Sequence, residues 1–550
     1  MKSNIQIVLF FIIAVYNCYA QTTTEKTKFW HHEDYSTTNI PGISLDKAIK
    51  SVNRPSSKKQ IIVAVIDTQI DALHEDLNTS IWTNKKEIPN NGIDDDKNGF
   101  TDDIHGWNFL GNKSGGYTVW ANFEYIRILR EYAPIFKNKS KEEIPAENKV
   151  KYEQYLKAID NDKKYTKYFN SYIKSLQYDI SLYQKTKDTL RHFFPKENYT
   201  YKELDSLYRK YKINNKTYKE RRDSNDQDLG ALLGAHLSSL DIGLDSYAKL
   251  TDALKQHDST LNKSCSLSFN ERKNRDSEIS NRGYGNNKIQ VEIKGIPIFS
   301  NHSTEVSSII AAKRENNLGI KGFSDNIKIM PLIVCPSGDE HDRDIALAVK
   351  YAVDNGAKVI NMSFGKELSL YPELITEALQ YAEKKNVLIV HASGNNGVNI
   401  DDSSFYPNDY YSKKEVSTNF ISVGSINKNY GEKMVSSFSN YGKENVDLFA
   451  PGEGIYIAMP DNEYRFDSGT SLAAPMVSGT AALLWLHYPK LTVQQVKQII
   501  LESGTSHDIE VIVPGTKDKK VKFSELSKTG KVLNVYNAMQ MAKEMNTKIN

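Results

Sequence analysis

The chain has 550 residues, with 71 basic and 68 acidic side chains, so its formal net charge is +3. This near balance gives no electrostatic reason to expect a nucleic-acid partner, because nucleic-acid-binding proteins carry a clear excess of basic residues. The length is sufficient for one large domain with a buried core and an additional segment.

The N-terminus has the pattern of a secretory signal peptide. A basic residue precedes the apolar stretch Ile7–Tyr16, and the small residue Ala20 follows it. This stretch is shorter than the about 20 residues that a membrane-spanning helix requires. We therefore expect a signal peptide at residues 1–20, cleaved after Ala20, and a secreted or periplasmic protein with no integral membrane segment. A lipid anchor on Cys18 is the alternative, which the larger residues before it disfavour.

The first candidate functional residue ends an apolar run. Residues 21–50 form a lead-in segment, in which His31 and His32 have no other metal-ligating residues nearby and are expected at the surface. The run Ile61–Ile66 then ends at Asp67. A continuous apolar run of this length is typical of a strand buried on both faces of a parallel sheet. A carboxylate at the end of such a strand needs a partner.

Residues 90–103 alternate oxygen-bearing side chains around glycines, as in loops that bind calcium. Positions one, three, five and nine of such a loop correspond to Asp94, Asp96, Asn98 and Asp102. The glutamate expected at position twelve is missing, because His105 stands there. The alternative is an acidic, solvated turn. The pattern predicts structural calcium at this loop and no cofactor for the chemistry.

Residues 111–290 differ in composition from the rest of the chain, since Tyr, Lys, Asp and Asn dominate. Apolar residues recur at spacings of three and four, which predicts an amphipathic helix: Tyr165, Phe169, Tyr172, Leu176, Ile180 and Tyr183. Thr200 and Glu203 form the pattern of a capping box. We predict a mainly helical segment, whose tyrosines either pack helix against helix or form a binding surface.

Two further motifs lie near the starts of apolar helices. His302 opens the segment 301–312, and Ser471 lies between small residues at the start of the segment 469–484. The first backbone N–H groups of that second helix would point at a substrate carbonyl. Asp, His, Ser is one of the known chain orders of a catalytic triad. We therefore predict that Asp67, His302 and Ser471 are the catalytic residues.

These segments resemble motifs of the subtilisin family of serine peptidases, in the same order along the chain. A fourth match is His-Ala-Ser-Gly-Asn-Asn-Gly at residues 391–397, where the family asparagine, here Asn395, donates to the oxyanion. Residues 359–365 are similar to the family strand whose edge pairs with an extended substrate. The resemblance covers residues 40–110 and 290–540.

The resemblance implies an α/β fold with three layers (α/β/α) and a mostly parallel central sheet. Residues 51–110 and 291–550 would form the peptidase core, and the mainly helical residues 111–290 would be an insertion. The implied function is a secreted serine endopeptidase that hydrolyses peptide or protein substrates through an acyl-enzyme, and we expect a monomer. The implied substrate-binding residues are Ser363, Phe364, Gly365, Ala392, Ser393 and Gly394.

The sequence departs from the family pattern around His302. Ser303, Glu305 and Ser308 replace glycine, histidine and glycine. Glu305 lies one helical turn after His302, where a carboxylate raises the pKa of an imidazole. A catalytically silent binding protein that recruits partners through the helical insertion is therefore an alternative, and an esterase or transacylase with the same triad is another. The presence of all four catalytic positions favours the peptidase.

Overall fold

The computed structural model describes residues 28–52, 59–112, 114–212, 214–272, 283–291, 301–411 and 414–549. They fall into two compact units. The sheet unit comprises the chain up to Val119 and from Arg272 onward, and the helical unit comprises Trp120–Glu271. The signal peptide predicted at residues 1–20 lies outside the described residues.

Within the described residues, the sheet unit is built on a sheet of nine strands. These strands are β1 (Ile61–Asp67), β2 (Trp107–Asn108), β3 (Ile327–Ile333), β4 (Val359–Met362), β5 (Leu388–Ala392), β8 (Phe420–Ile426), β9 (Leu448–Pro451), β12 (Thr505–Ser506) and β15 (Lys531–Val532). Their order across the sheet is β12-β15-β9-β8-β5-β4-β1-β3-β2. Three two-stranded sheets pair β6 (Tyr410–Tyr411) with β7 (Lys414–Glu415), β10 (Glu453–Met459) with β11 (Glu463–Ser468), and β13 (Glu510–Ile512) with β14 (Lys520–Lys522). In the large sheet, β12 runs antiparallel to β15 and the other neighbouring strands are parallel. The predicted mostly parallel sheet is confirmed.

Helices cover both faces of this sheet. The α-helices of the described chain are α1 (Tyr35–Thr38), α2 (Leu45–Lys50), α3 (Glu124–Phe136), α4 (Lys149–Phe193), α5 (Tyr201–Tyr211), α6 (Tyr218–Asp223), α7 (Leu229–Asp241), α8 (Tyr247–Ser259), α9 (His302–Ala311), α10 (Asp342–Asp354), α11 (Pro372–Lys384), α12 (Thr470–His487), α13 (Val493–Ser503) and α14 (Val535–Ile549). Side chains of β1 alternate between the faces. Val63 and Val65 pack with residues of α9 and α12, whereas Ala64 and Ile66 pack with residues of α10 and α11. The sheet is therefore the middle of three layers, as predicted.

The lead-in segment belongs to the core of the sheet unit. Trp30 is buried, and its indole N–H donates to the carbonyl of Gly454 at 3.0 Å. The expectation that His31 and His32 lie at the surface is wrong, because each is only 3% exposed. They follow Trp30 in one turn of 3-10 helix, so burial of the tryptophan carries them inward. Burial lowers the pKa of both imidazoles.

The helical unit contains α3 to α8. Its longest helix, α4, has 45 residues and includes the predicted amphipathic stretch. The predicted capping box is confirmed, since the side chain of Thr200 accepts from the backbone N–H of Glu203 and the Glu203 carboxylate accepts from that of Thr200. Tyr165 stacks on Tyr125 of α3, with ring centroids 5.6 Å apart. This contact supports helix packing as a role of the tyrosines.

Residues 335–344, which we call the attachment segment, contact the two positions of the sheet unit at which the chain leaves for the helical unit and returns from it. The backbone N–H of Ser337 donates to the carbonyl of Val119 at 2.7 Å. Arg272, where the chain returns, forms an ion pair with the buried carboxylate of Asp344. Val119 and Arg272 are therefore both held by this one segment.

Candidate active site

Asp67 and His302 are held against each other at the carboxyl end of β1. The Nδ1 atom of His302 lies 3.0 and 2.9 Å from the two carboxylate oxygens of Asp67. Asp67 is 1% exposed, and its carboxylate also accepts from the backbone N–H of Thr68 at 2.7 Å. The Thr68 hydroxyl accepts from the backbone N–H of Ser303, the second residue of α9, at 3.0 Å. The end of β1 thus orients both the carboxylate and the helix that begins at His302.

Ser471 lies in the first turn of α12 and lines the same cavity as Asp67 and His302. The cavity has a volume of about 340 Å³. Gly469 precedes the helix, and a methyl group placed on it would lie 2.7 Å from the Ser471 hydroxyl oxygen. A side chain at Gly469 would therefore displace that hydroxyl. The structure brings the three residues predicted to be catalytic to one cavity.

Asn395 lies next to the start of α12. Its carboxamide oxygen accepts from both the backbone N–H and the hydroxyl of Thr470, each at 2.9 Å. These contacts assign the oxygen to the Thr470 side and leave the amide group Nδ2 on the other side. A methyl group on Gly469 would lie 3.5 Å from Nδ2 as well as 2.7 Å from the Ser471 hydroxyl oxygen. The amide donor and the serine hydroxyl therefore face the same small space.

A buried chain of hydrogen bonds, which was not predicted from the sequence, ends at the backbone carbonyl of Ser471. The Ser478 hydroxyl donates to the Asn361 carboxamide oxygen at 2.8 Å, and the Asn361 amide donates to the Ser363 hydroxyl at 2.9 Å. The Ser363 hydroxyl donates to the backbone carbonyl of Ser471 at 2.9 Å. The signal in the sequence is a lone asparagine inside the apolar strand β4, since a buried polar side chain requires partners.

The subtilase family (Peptidase_S8) matches residues 58–524 of the chain. The chain belongs to the subtilase family. It is 36% identical over 218 residues to the cell wall-associated protease of Bacillus subtilis (strain 168), a match that covers 40% of this chain and 22% of that protein. It is 38% identical over 187 residues to the thermophilic serine proteinase of Bacillus sp. (strain AK1), covering 34% of this chain and 43% of that protein.

A third relative matches over more of its own length. Subtilisin DY of Bacillus licheniformis is 31% identical over 207 residues, which cover 37% of this chain and 70% of that protein. The chain spans less than half the length of the two relatives above. The subtilase family is a family of serine peptidases.

Residues 363–365 follow β4, and residues 392–394 begin at the last residue of β5, the neighbouring parallel strand of the subtilase sheet. In open parallel sheets, ligands bind outside the carboxyl ends of the strands. Phe364 lines the cavity. The backbone carbonyl of Phe364 accepts from Nε2 of the buried His391 at 2.7 Å. Burial lowers the pKa of His391 to about 4, so this imidazole is neutral. The backbone N–H of Gly394 donates to the Thr470 hydroxyl at 3.1 Å.

Two further carboxylates, those of Glu305 and Asp467, lie near His302. The buried Glu305 pairs with Arg465 of β11 at 3.0 Å, and Arg465 also bonds the carboxylate of Asp467. Burial disfavours the imidazolium, but the neighbouring carboxylates, Asp67 first among them, outweigh it and raise the pKa of His302 to about 9. Burial raises the pKa of Glu305 to about 7, against the opposing effects of His302 and Arg465.

In the acidic loop, one oxygen each of Glu87, Asp94 and Asp96 lies within 4.8 Å of the others. Asp102 instead accepts from the backbone N–H groups of Asn91 and Gly92, at 3.1 and 2.9 Å. The Asn98 carboxamide bonds Asp103 and the backbone of Phe100. Each of these three carboxylates also accepts from backbone N–H groups of the loop, and carboxylate oxygens are ligands that fit calcium. Sequence spacing gave no sign of Glu87, which lies before the loop.

Among the described residues, no helix is both long enough and apolar enough to span a bilayer.

Proposed function

We propose that this subtilase is an exported serine endopeptidase whose catalytic residues are Asp67, His302 and Ser471. The observation that carries the proposal is the Asp67–His302 pair, with contacts of 2.9 and 3.0 Å, at the cavity that Ser471 also lines. Export is supported by the signal-peptide pattern in the sequence of residues 1–20. The substrates are peptides or proteins, which enter along residues 363–365 and 392–394.

In the proposed reaction, His302 accepts the proton of the Ser471 hydroxyl as the oxygen attacks the scissile carbonyl carbon. Asp67 holds the imidazole in the tautomer with Nδ1 protonated and stabilises the imidazolium that forms. The Asn395 amide and the Ser471 backbone N–H donate to the oxyanion. His302 then protonates the leaving amine, which gives an acyl-enzyme ester on Ser471. Water attacks this ester with His302 again as base, releasing the acid and restoring the hydroxyl.

Labelling with a fluorophosphonate tests the proposal directly, because such reagents phosphonylate an activated serine. The intact mass of the parent protein should increase by one adduct, and the Ser471→Ala and His302→Ala variants should remain unmodified. A parent that stays unmodified would favour the silent binding protein instead.

The pH dependence of activity should reflect the carboxylates near His302. The imidazole acts as a base only when neutral, so with a pKa of about 9 the value of kcat/KM should rise through neutral pH and level off above that pKa. In Glu305→Gln, loss of a neighbouring negative charge should lower the pKa of His302 and move the inflection to lower pH by about one unit. Activity at pH 7 should therefore increase. Rates on a peptide anilide between pH 6 and 11 measure this shift.

Glu432→Gln provides the matched control for that shift. Glu432 forms an exposed ion pair with Lys520 at 2.7 Å, away from the residues that line the cavity. The same chemical change there should leave the inflection in place. An inflection that also stays in place in Glu305→Gln would contradict the electrostatic role given to this residue.

We also propose that Glu87, Asp94 and Asp96 hold a structural calcium ion, with no part in the reaction. A ligand at about 100 times its Kd stabilises the folded state by about 2.7 kcal/mol. Calcium should therefore raise the Tm of the parent by a few degrees relative to a chelator, and Asp94→Asn should remove most of this increase. Scanning calorimetry with calcium, magnesium and chelator measures it. An increase that is equal in parent and variant would exclude this loop as the site.

A further inference from the structure

The ring of Phe405 fills the space between the two segments that we propose bind substrate. A methyl group placed on Gly365 would lie 2.6 Å from Cζ of Phe405, and one placed on Gly394 would lie 2.7 Å from the same atom. Non-bonded carbon atoms prefer separations of about 3.5–4.0 Å. The ring therefore touches both glycines, and only glycine fits opposite it at either position.

The backbone on both sides of this ring is fixed. Tyr406 and Lys366 exchange two backbone hydrogen bonds, of 2.8 and 2.9 Å. The carbonyl of Phe405 accepts from the Asn408 amide at 2.8 Å. The ring itself lies beside the neutral His391, with ring centroids 5.8 Å apart. A substrate side chain that required the space of the ring would have to break these contacts.

The filled space begins next to the nucleophile. The Ser363 hydroxyl donates to the Ser471 carbonyl at 2.9 Å, and the backbone N–H of Gly394 donates to the Thr470 hydroxyl at 3.1 Å, so the two segments flank the first turn of α12. In the reaction proposed above, the scissile carbonyl carbon lies at the Ser471 hydroxyl and its oxygen points to the Asn395 amide. The side chain just before the cleaved bond, called P1, is then directed between the two segments.

We infer that Phe405 sets the P1 specificity of this enzyme by leaving room only for small side chains, so that peptides with Gly, Ala or Ser at P1 are the preferred substrates. The inference rests on the proposed function, since it needs Ser471 as nucleophile. It gives Phe405 no part in the bond-making steps. The ring acts by occupying volume that a larger P1 side chain would need.

Peptide p-nitroanilides that differ only at P1 test the inference on the full-length protein. With Ala, Leu and Phe at P1, the parent should show a kcat/KM at least about tenfold higher for Ala than for Phe, a ratio typical of steric discrimination in a side-chain pocket. Phe405→Ala should raise kcat/KM for the Phe substrate by about tenfold or more and reverse the preference. Phe405→Leu, which keeps most of the packing, should give an intermediate ratio.

The control variant is Tyr410→Ala, which removes a half-exposed aromatic ring five residues further along the chain. Its P1 preference should match that of the parent. Fluorophosphonate labelling of Ser471 reports whether each variant still assembles the triad, independently of any P1 side chain.

Two results would overturn the inference. One is a parent that cleaves the Leu or Phe substrate more efficiently than the Ala substrate. The other is an unchanged Ala-to-Phe ratio in both Phe405 variants, measured on protein that is still labelled at Ser471. Either result would leave the proposed peptidase intact, because labelling and cleavage would persist. A parent that is neither labelled nor able to cleave any anilide would remove the proposed function and this inference together.

Discussion

Ser471→Ala should reduce kcat by about six orders of magnitude, because it removes the hydroxyl group that attacks the substrate. Substrate binding should persist, because the rest of the cavity is unchanged. In subtilisin, a member of the same family, removal of the serine alone costs about 2 × 10⁶ in kcat. Removal of His302 should cost about as much, since the serine and its base act as one unit. Rates on a peptide anilide and competition binding of an uncleaved peptide measure both quantities.

Ser478→Ala gives a serine control within the same helix. Its hydroxyl is buried and bonds the Asn361 carboxamide at 2.8 Å, so this variant tests loss of support without loss of a reacting group. We expect a much smaller loss of activity than in Ser471→Ala. If the two variants lose comparable activity while both remain folded, the result would contradict the assignment of Ser471 as the nucleophile.

Asn395→Asp should lower kcat by about 10² to 10³, with little change in KM. The new carboxylate can still accept from the backbone N–H and hydroxyl of Thr470, at the 2.9 Å distances of the parent. It loses the amide donor that we propose for the oxyanion and places a negative charge there. Removal of one such donor, as measured in subtilisin, costs about 2.7–4 kcal/mol of the barrier. Steady-state kinetics on a single peptide anilide are sufficient to measure it.

Asn396→Asp adds the same charge one residue further along the chain and keeps the Asn395 amide. It should retain most of the parent activity, which separates loss of the donor from a general effect of charge on the cavity. If the two aspartate variants lose activity equally, the Asn395 amide is not the oxyanion donor.

The sheet and the positions of Asp67, His302 and Ser471 on their elements follow from local sequence. The apolar run Ile61–Ile66 is uninterrupted because β1 is covered on both faces, and the acid that ends it lies at the carboxyl end of a parallel strand. The apolar segment 469–484 predicts α12 equally well, because apolar residues on all sides of a helix are typical of a buried one. Sixteen of the 18 residues of α12 are buried.

Other parts of the site depend on contacts between residues that are far apart in the chain, for which local patterns carry no information. Phe405 meets Gly365 across 40 positions, and nothing in the sequence near either residue indicates the contact. Glu87 joins the acidic loop from outside its regular spacing. The error on His31 has the same cause, because the indole of the neighbouring Trp30 is anchored by Gly454, 424 residues away.

The attachment segment connects the positions at which the chain leaves and re-enters the sheet unit to the active site. Val119 and Arg272 are both fastened to residues 335–344, and Cys335, Pro336 and Glu340 of this segment are part of the cavity wall. These contacts and the cavity wall therefore share one short segment, so loss of either contact would reach the rim of the cleft before the strands of the sheet.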